Sequence, residues 1–307
     1  MRYLFLLNPT AGKRDCTAEL APAIQAAAQR AGIPPEKRKV VVTQYAGHAR
    51  ELAAEAAHTA QADGEPVRIW TAGGDGTFNE ALTGAQGCSL AAVGCLPFGS
   101  GNDFLRTYGT REEFNDLDAQ LAGGEVDIDL MQTDLGLSAT ICAAGLDAQV
   151  AYGIPQFRRI PFCGGEMAYA LSIVRQLCGH IGRKVAFTID GEELTVDCLM
   201  CAVCNGRTYG GGFYAVPEAD PRDGLLDVLL VKKITRAQVP GLIGKYKAGR
   251  YKELPEYITH YRTDRLEIHS PTPTAVNLDG ELKMETDISM SIAKEKVRFF
   301  YPKGLTW

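Results

Sequence analysis

The most informative part of this sequence is Thr71-Ala72-Gly73-Gly74-Asp75-Gly76-Thr77-Phe78-Asn79-Glu80. The apolar run before it, Val67-Arg68-Ile69-Trp70, predicts a buried strand, and Glu80-Ala81-Leu82-Thr83 predicts the first turns of a helix. Because glycine has no Cβ, three glycines between strand and helix let the backbone approach a bulky anion closely. The helix N-terminus then presents unpaired N–H groups and a positive dipole end to that anion. The pattern predicts a phosphate site.

Asp75 is the unusual member of this loop. Its carboxylate would repel a phosphate unless a cation or a role in proton transfer accounts for it. We interpret the loop as a site for phosphate together with a cation, or for chemistry on phosphate. The alternative is a tight strand–helix turn that Asp75 merely caps, since a glycine motif alone is a weak signal.

Length and composition set the limits of the interpretation. The 307 residues are enough for one large or two ordinary domains. The net charge of −5 argues against a dedicated nucleic-acid binder, which usually carries a basic stripe. No apolar run approaches the ~20 residues that span a bilayer, and the apolar start is too short for a signal peptide. Nine cysteines, an odd number, indicate a reducing compartment. We expect a cytoplasmic protein.

The order of apolar runs predicts two domains of different class. Residues 1–130 alternate between short strands and helices, which predicts an α/β domain with a parallel sheet. Residues 131–290 contain mostly strand-like runs, interrupted by one predicted helix near Gly165–Leu177, which predicts a β-rich domain. The last run, within residues 291–307, is expected to return to the first domain.

Ligands of parallel sheets bind beyond the carboxyl ends of the strands. Four segments follow predicted strands of the first domain at that edge: Asn8–Gly12, Thr43, the glycine loop and Phe98–Asn102. We therefore expect them to line one crevice. Cys198, Cys201 and Cys204, by contrast, lie in a strand-like run, where residues three apart point to opposite faces. We predict buried structural cysteines there and no metal site.

Several separated motifs then agree in type and order. The first half contains Asn8-Pro9-Thr10-Ala11-Gly12, the glycine loop and Leu96-Pro97-Phe98-Gly99-Ser100-Gly101-Asn102-Asp103-Phe104. The second half adds the stretches Asn205–Gly212, Pro217–Asp227 and Leu278–Glu281. This set resembles the diacylglycerol kinase catalytic-domain family, which includes sphingosine and ceramide kinases, and most closely its soluble bacterial lipid kinases. The resemblance implies an NAD kinase/diacylglycerol kinase-like α/β domain followed by a β-sandwich domain.

The resemblance implies ATP binding by the first domain. The residues carried over for ATP are Asn8, Pro9, Thr10, Ala11, Gly12, Thr43, Gly73, Gly74, Asp75, Gly76, Thr77, Phe78, Asn79 and Ser100. Ser100 stands where the bacterial proteins usually carry Thr, which keeps the hydroxyl. The segment Cys142–Asp147 lacks the Asn common there, so no role is carried onto it.

Catalysis is carried over to acidic residues. Asp279 would be the general base that takes the proton of the lipid hydroxyl, with Glu281 beside it, and Asp75 is the rival base. Asp75 and Asp127 would belong to the network around a catalytic Mg²⁺. The alternative for Asp279-Gly280 is an ordinary hairpin turn, which favours Asp-Gly.

A second, structural Mg²⁺ is also implied by the resemblance. Asp220, Asp223 and Leu225 would bind it, with Asp220 and Leu225 contributing backbone carbonyls. The alternative is a solvated loop.

These inferences predict an ATP-dependent lipid kinase that phosphorylates a lipid hydroxyl, most closely a diacylglycerol-like one. The alternatives are a kinase of a soluble acceptor such as NAD, whose kinases share the Gly-Gly-Asp-Gly loop, and a non-catalytic nucleotide-binding regulator. The expected partners are a lipid with a hydroxyl and no nucleic acid, and a homodimer is compatible with the sequence. Residues 152–162, with Arg158 and Arg159 among apolar groups, predict peripheral membrane contact; an ordinary loop packed on the domain edge is the alternative.

Overall fold

A computed structural model describes residues 1–12, 15–99, 101–158, 160, 165–179 and 182–305. The chain forms two compact units. The first comprises Met1–Leu130, Thr208–Gly212 and Ala293–Trp307, and the second comprises Met131–Arg207 and Phe213–Ile292.

The helices in chain order are α1 (Thr17–Arg30), α2 (His48–Asp63), α3 (Asp75–Ala85), α4 (Arg111–Asn115), α5 (Leu117–Leu121), α6 (Leu146–Arg158), α7 (Gly165–Cys178) and α8 (Val239–Lys247). The strands in chain order are β1 (Arg2–Leu7), β2 (Arg38–Val42), β3 (Val67–Gly73), β4 (Ala91–Pro97), β5 (Gly124–Ile128), β6 (Met131–Thr133), β7 (Gly136–Ser138), β8 (Ile141–Gly145), β9 (Arg183–Ile189), β10 (Glu192–Cys204), β11 (Leu226–Lys232), β12 (Ile258–Thr263), β13 (Arg265–Leu278), β14 (Glu281–Ile292) and β15 (Val297–Tyr301).

The first unit is built on a six-stranded sheet in the order β2-β1-β3-β4-β15-β5. All neighbouring pairs are parallel except β15 with β5. The late strand β15 therefore lies inside a sheet whose other strands come from the first 130 residues. The predicted α/β domain with a parallel sheet is confirmed.

Trp70 forms the centre of the core on one face of this sheet. Its ring stacks on Phe5 at a centroid distance of 4.9 Å and meets Phe300 edge-on at 5.2 Å. Its Nε1–H donates to Gln120 Oε1 at 2.9 Å, while Gln120 Nε2 donates to the carbonyls of Cys95 and Phe114. Gln120 is 1% exposed, so one buried amide satisfies polar groups from three segments.

The described residues of the second unit form one antiparallel sheet of nine strands. Eight of them follow the order β12-β11-β10-β8-β13-β14-β6-β7. The strand β9 pairs with both β10 and β13, and β8 pairs with the same two strands closer to their carboxyl ends. The two long strands therefore share partners at both ends and surround one apolar core. The predicted β-rich sandwich class is confirmed.

Three details of the second unit differ from the sequence prediction. The described residues of the second unit form three helices, α6, α7 and α8, where one was predicted. In α6, packing against α7 overrides the unfavourable Gly153. The runs 265–269 and 274–278 form a single strand whose register shifts between them. Of the predicted membrane segment, residues 152–158 lie in α6, whereas Arg159, Pro161 and Phe162 lie outside the described residues.

The cysteines of β10 are buried, as predicted. Burial raises the pKa of Cys201 and Cys204 well above the ordinary thiol value. The prediction that residues three apart face opposite sides was wrong for Cys198 and Cys201, because a register shift between Cys198 and Met200 lets both join one core.

We expect Gln120→Ala to lower the free energy of unfolding by about 2 kcal/mol or more, because it leaves the buried Trp70 N–H without its acceptor. Denaturant unfolding would measure the change. Gln25→Ala, on the exposed face of α1, is the control and should change stability by less than about 0.5 kcal/mol. Equal stability of both variants would contradict the assigned role of Gln120.

Candidate functional site

The loop after β1 is organised by Asn8. Its Nδ2 donates to Thr77 Oγ1 at 2.9 Å, and its Oδ1 accepts from the backbone N and the hydroxyl of Thr10 at 3.0 and 2.8 Å. Asn8 thus ties its own turn to the first turn of α3. Thr77 is 8% exposed, so its hydroxyl acts here as a structural acceptor.

The glycine loop is held by the carbonyl of Gly73. That oxygen accepts from the backbone N atoms of Phe98 and Gly99 at 2.9 and 2.8 Å, and from Asn102 Nδ2 at 3.1 Å. Asn102 itself has a positive φ of 53° and is 3% exposed. One carbonyl at the end of β3 therefore holds three residues of the loop that follows β4, Phe98, Gly99 and Asn102.

At two places the backbones of neighbouring loops come so close that only glycine fits. A Cβ on Gly99 would lie 2.3 Å from the Cα of Gly74, and one on Gly12 would lie 2.4 Å from the carbonyl oxygen of Phe98. Real side chains do not fit at such distances, since backbone atoms fill the space. The structure thus brings together three of the predicted loops at one edge of the sheet, those after β1, β3 and β4.

Asp75 is the first residue of α3, but its carboxylate does not cap that helix. Asp75 Oδ1 accepts from the backbone N atoms of Asp103 and Phe104 at 2.7 and 3.4 Å. Desolvation raises the pKa of Asp75, and these backbone hydrogen bonds oppose the rise. Asp75 therefore joins the glycine loop to the loop after β4.

Two further carboxylates shape this edge and were not singled out from the sequence. Glu80 accepts from the backbone N atoms of Gly47 and Ala49 at 2.8 and 3.2 Å, at the start of α2. Asp103 accepts from the backbone N of Gly211 at 2.8 and 3.1 Å. The only indication in the sequence was that Glu80 lies in the glycine loop motif and Asp103 in the motif Leu96–Phe104. The segment Thr208–Gly212, which lies within the predicted β-rich domain 131–290, thus belongs to the first unit.

The other residues predicted to bind ATP lie in varied surroundings. Thr43 is buried and its backbone N donates to the carbonyl of Leu7 at 2.8 Å, at the same sheet edge. Phe78 is 2% exposed and packs against Phe104 and Phe299, so its side chain belongs to the core. Ser100 lies outside the described residues.

Asp127 is half-exposed on β5, and its Oδ1 accepts from Arg298 Nε at 3.1 Å. Within the described ranges, no three His, Cys, Asp or Glu side chains are grouped to hold a metal ion. Among the described residues of the first unit, Asp75 and Asp127 are thus not part of such a three-residue group.

In the second unit, Asp279 and Gly280 form the two-residue turn between β13 and β14, with φ of 46° and 98°. Asp279 Oδ2 accepts from the backbone N atoms of Ala139 and Thr140 at 2.8 and 3.4 Å, and Oδ1 from that of Ile141 at 2.9 Å. Asp279-Gly280 is therefore the hairpin turn given above as the alternative, and the side chain of Asp279 is at the same time held in one orientation by backbone donors.

Asn205, the residue after β10, binds the same short loop. Its backbone N donates to the carbonyl of Thr140 at 2.9 Å, and its Nδ2 donates to the carbonyl of Ala139 at 2.9 Å. Two motifs quoted from the sequence, at Asn205 and at Asp279, thus converge on residues 139–141. Glu281 is exposed on the next strand.

An apolar cavity of about 80 Å³ lies in the second unit. Its lining includes Leu199 and Phe213 together with residues of α6, α7 and α8. Asp147, in the first turn of α6, is the only charged residue of the described lining. Desolvation raises the pKa of Asp147 to about 6. The cavity can receive an apolar group and offers it one carboxyl.

The second predicted metal loop is engaged in ion pairs. Arg222 donates to both oxygens of Asp220 at 2.7 Å and thereby lowers the pKa of Asp220. Asp223 accepts from the backbone N of Leu225 at 2.9 Å and from Arg262. In this arrangement the residues do not fit a bound Mg²⁺, because both carboxylate oxygens of Asp223 already accept hydrogen bonds from protein donors.

We expect Gly99→Ala to weaken ATP binding about tenfold or more, since the new Cβ would force apart the loops after β3 and β4. Isothermal titration with ATP would measure the affinity. Gly241→Ala, where a Cβ meets no neighbour within 4 Å, is the control. Unchanged affinity in folded Gly99→Ala would show that the contact with Gly74 does not shape the site.

Comparison with known proteins covers nearly the whole chain. The diacylglycerol kinase catalytic domain matches residues 2–133. The YegS C-terminal NAD kinase beta sandwich-like domain matches residues 140–300. The matches follow the division into an α/β domain and a β-rich domain.

Individual relatives agree with these matches. The chain is 27% identical over 240 residues to "Probable lipid kinase YegS-like" of Shewanella frigidimarina, covering 76% of each protein. It is 26% identical over 285 residues to a diacylglycerol kinase of Bacillus subtilis, covering 91% of this chain and 89% of that protein. A crystal structure of a diacylglycerol kinase from Bacillus anthracis str. Sterne has a TM-score of 0.70 at 18% identity, covers 99% of this chain and 98% of that one, and supports the fold alone. The chain belongs to the diacylglycerol kinase catalytic-domain family, in its bacterial lipid kinase branch.

Proposed function

We propose that this protein transfers the γ-phosphate of ATP to the hydroxyl of a lipid, with a diacylglycerol-like acceptor as the first choice. Family membership implies a phosphotransferase. The observation that carries the proposal is the set of three interlocked loops at the carboxyl ends of β1, β3 and β4. Such loops, followed by the N-terminus of α3, suit a nucleotide phosphate.

In this proposal the first unit holds the nucleotide chiefly through its backbone. The glycines at positions 74 and 99 exclude side chains from the loop surface, so peptide N–H groups can approach phosphate oxygens. Phosphoryl transfer depends mostly on positioning and charge stabilisation, and a divalent cation bound with ATP would neutralise phosphate charge. Asp75 keeps the loop after β4 in place by its bonds to Asp103 and Phe104.

Asp279 is our proposed general base for the lipid hydroxyl. Backbone N–H donors from residues 139–141 fix the orientation of its carboxylate. An ionised carboxylate only accepts hydrogen bonds, so its oxygens suit the role of proton acceptor. A fixed base is favourable because proton transfer requires hydrogen-bond reach in a defined geometry.

The apolar cavity supports a lipid acceptor over a soluble one. Its walls are apolar, apart from Asp147, and a dinucleotide would leave its charged groups unpaired there. At about 80 Å³ the cavity is below the ~300 Å³ typical of ligand sites. We therefore propose the cavity as a place for part of an acyl chain.

Labelled ATP and a panel of lipid alcohols in micelles would test the function, with NAD as the soluble acceptor. We expect label on a lipid. Label on NAD alone, or ATP binding without turnover on any acceptor, would overturn the proposal in favour of the soluble-acceptor kinase or the regulator.

We expect Asp279→Asn to cut turnover by ~10²-fold or more while ATP affinity stays nearly unchanged, because the variant removes the proton acceptor. Steady-state kinetics and ATP titration measure the two effects. Asp264→Asn, at an exposed turn between β12 and β13, is the matched control. If Asp279→Asn weakens ATP binding and spares turnover at saturation, Asp75 becomes the base.

We also propose that the lipid is met at a membrane surface. Met167, Leu171 and Val174 lie three and four residues apart on α7 and are 53%, 37% and 58% exposed. This spacing places them on one helix face. Arg236 donates to the carbonyls of Leu177 and Gly179 at the end of α7, so cationic charge accompanies the apolar stripe. The combination suits an anionic lipid surface. No described helix is long and apolar enough to cross a bilayer.

The double variant Leu171→Gln, Val174→Gln should reduce partitioning onto anionic vesicles by ~10-fold or more, since an inserted apolar side chain contributes about 1.5 kcal/mol or more. Vesicle sedimentation would measure it. Met284→Gln, an exposed methionine on β14, is the control. Equal loss in both variants, or equal binding to neutral vesicles, would contradict this surface.

A further inference from the structure

The turn before β11 brings three carboxylates together. The backbone N of Asp223 donates to the carbonyl of Asp220 at 3.2 Å, and Gly224 has a positive φ of 75°. Asp227, the second residue of β11, is 1% exposed. Repulsion among these groups would destabilise the turn unless a cation lies among them.

Two arginines of the chain supply that positive charge. Arg222 binds Asp220 with two parallel hydrogen bonds of 2.7 Å, the bidentate geometry that is strongest for a guanidinium. Arg262, from β12, binds Asp223 Oδ2, and its Nε lies 3.5 Å from Asp227 Oδ1. One guanidinium therefore joins two of the three acids.

The arrangement leaves each acid engaged by protein donors. Asp223 accepts from Leu225 N with one oxygen and from Arg262 with the other. Asp227 Oδ1 also pairs with His260 Nε2 at 2.7 Å. The carbonyl of Asp220 accepts within the turn. A divalent ion needs several oxygen atoms facing it at short range, and a guanidinium in the same place would repel it.

We infer that Arg262, assisted by Arg222, takes the place of the structural Mg²⁺ that the family resemblance implies for this turn. The two arginines neutralise the negative charge of the turn, so the folded chain keeps its stability without a divalent ion there. This inference concerns stability and metal content, and it holds whichever acceptor the enzyme uses.

Thermal unfolding of the full chain, with EDTA and with added Mg²⁺ or Ca²⁺, tests the inference. The melting temperature of the wild-type protein should be the same in all three conditions. Arg262→Gln should melt lower in EDTA and recover by roughly 2–4 °C or more with either ion, because the uncovered acids can then bind it. Arg265→Gln, an exposed arginine that pairs with Glu267 at 2.8 Å, is the control and should behave as wild type.

A wild-type protein that loses stability in EDTA and regains it with Mg²⁺ would overturn the inference. A folded Arg262→Gln variant that is indifferent to both ions would also overturn it. If Arg262→Gln does not fold, Arg262→Lys keeps the charge and should remain indifferent to EDTA. In that case elemental analysis of the wild-type protein decides the matter, since one bound Mg²⁺ or Ca²⁺ per chain displaced by EDTA contradicts our inference.

Discussion

The loops at the carboxyl ends of β3 and β4 in the first unit depend on the carbonyl of Gly73. This single oxygen accepts from two backbone N–H groups and one side-chain amide of the loop that follows β4. The contact is short because neither Gly74 nor Gly99 carries a Cβ. The other contacts at this edge of the sheet form only when these loops lie close together. One of them is the hydrogen bond that the carboxylate of Asp75 accepts from the backbone N of Asp103. Loop shape here is therefore set by the backbone, and the side chains lock it.

The parallel sheet of the first unit was predictable, because chains in which short apolar strands alternate with helices usually fold into a parallel sheet. Strand ends were close to the observed ones, for example Pro97 at the end of β4. Grouping of the loops followed from that topology. The carboxylate contacts of Glu80 and Asp103 were not predictable, since each links segments far apart in sequence through a backbone N–H, which leaves no residue-type signal at its partner.

The second unit was harder to predict for the same reason. Its long strands β10 and β13 change register along their length, so that a period of two fails at the bulges. Helix α6 contains Gly153, yet its backbone lies so close to Ser172 of α7 that a Cβ would be 2.3 Å from the hydroxyl oxygen. That glycine is unfavourable for an isolated helix and favourable for this packed pair. Local propensity and tertiary packing conflict there, and packing prevails.

The position of β15 has a consequence for how the chain is made. Residues 297–301 lie between β4 and β5 in the first sheet, although the entire second unit separates them in sequence. During synthesis, β4 and β5 are made long before β15. The backbone groups with which they pair to β15 stay unpaired until β15 leaves the ribosome. Unpaired edges of this kind are templates for wrong pairing. The α/β unit, although most of it is made first, is therefore completed last.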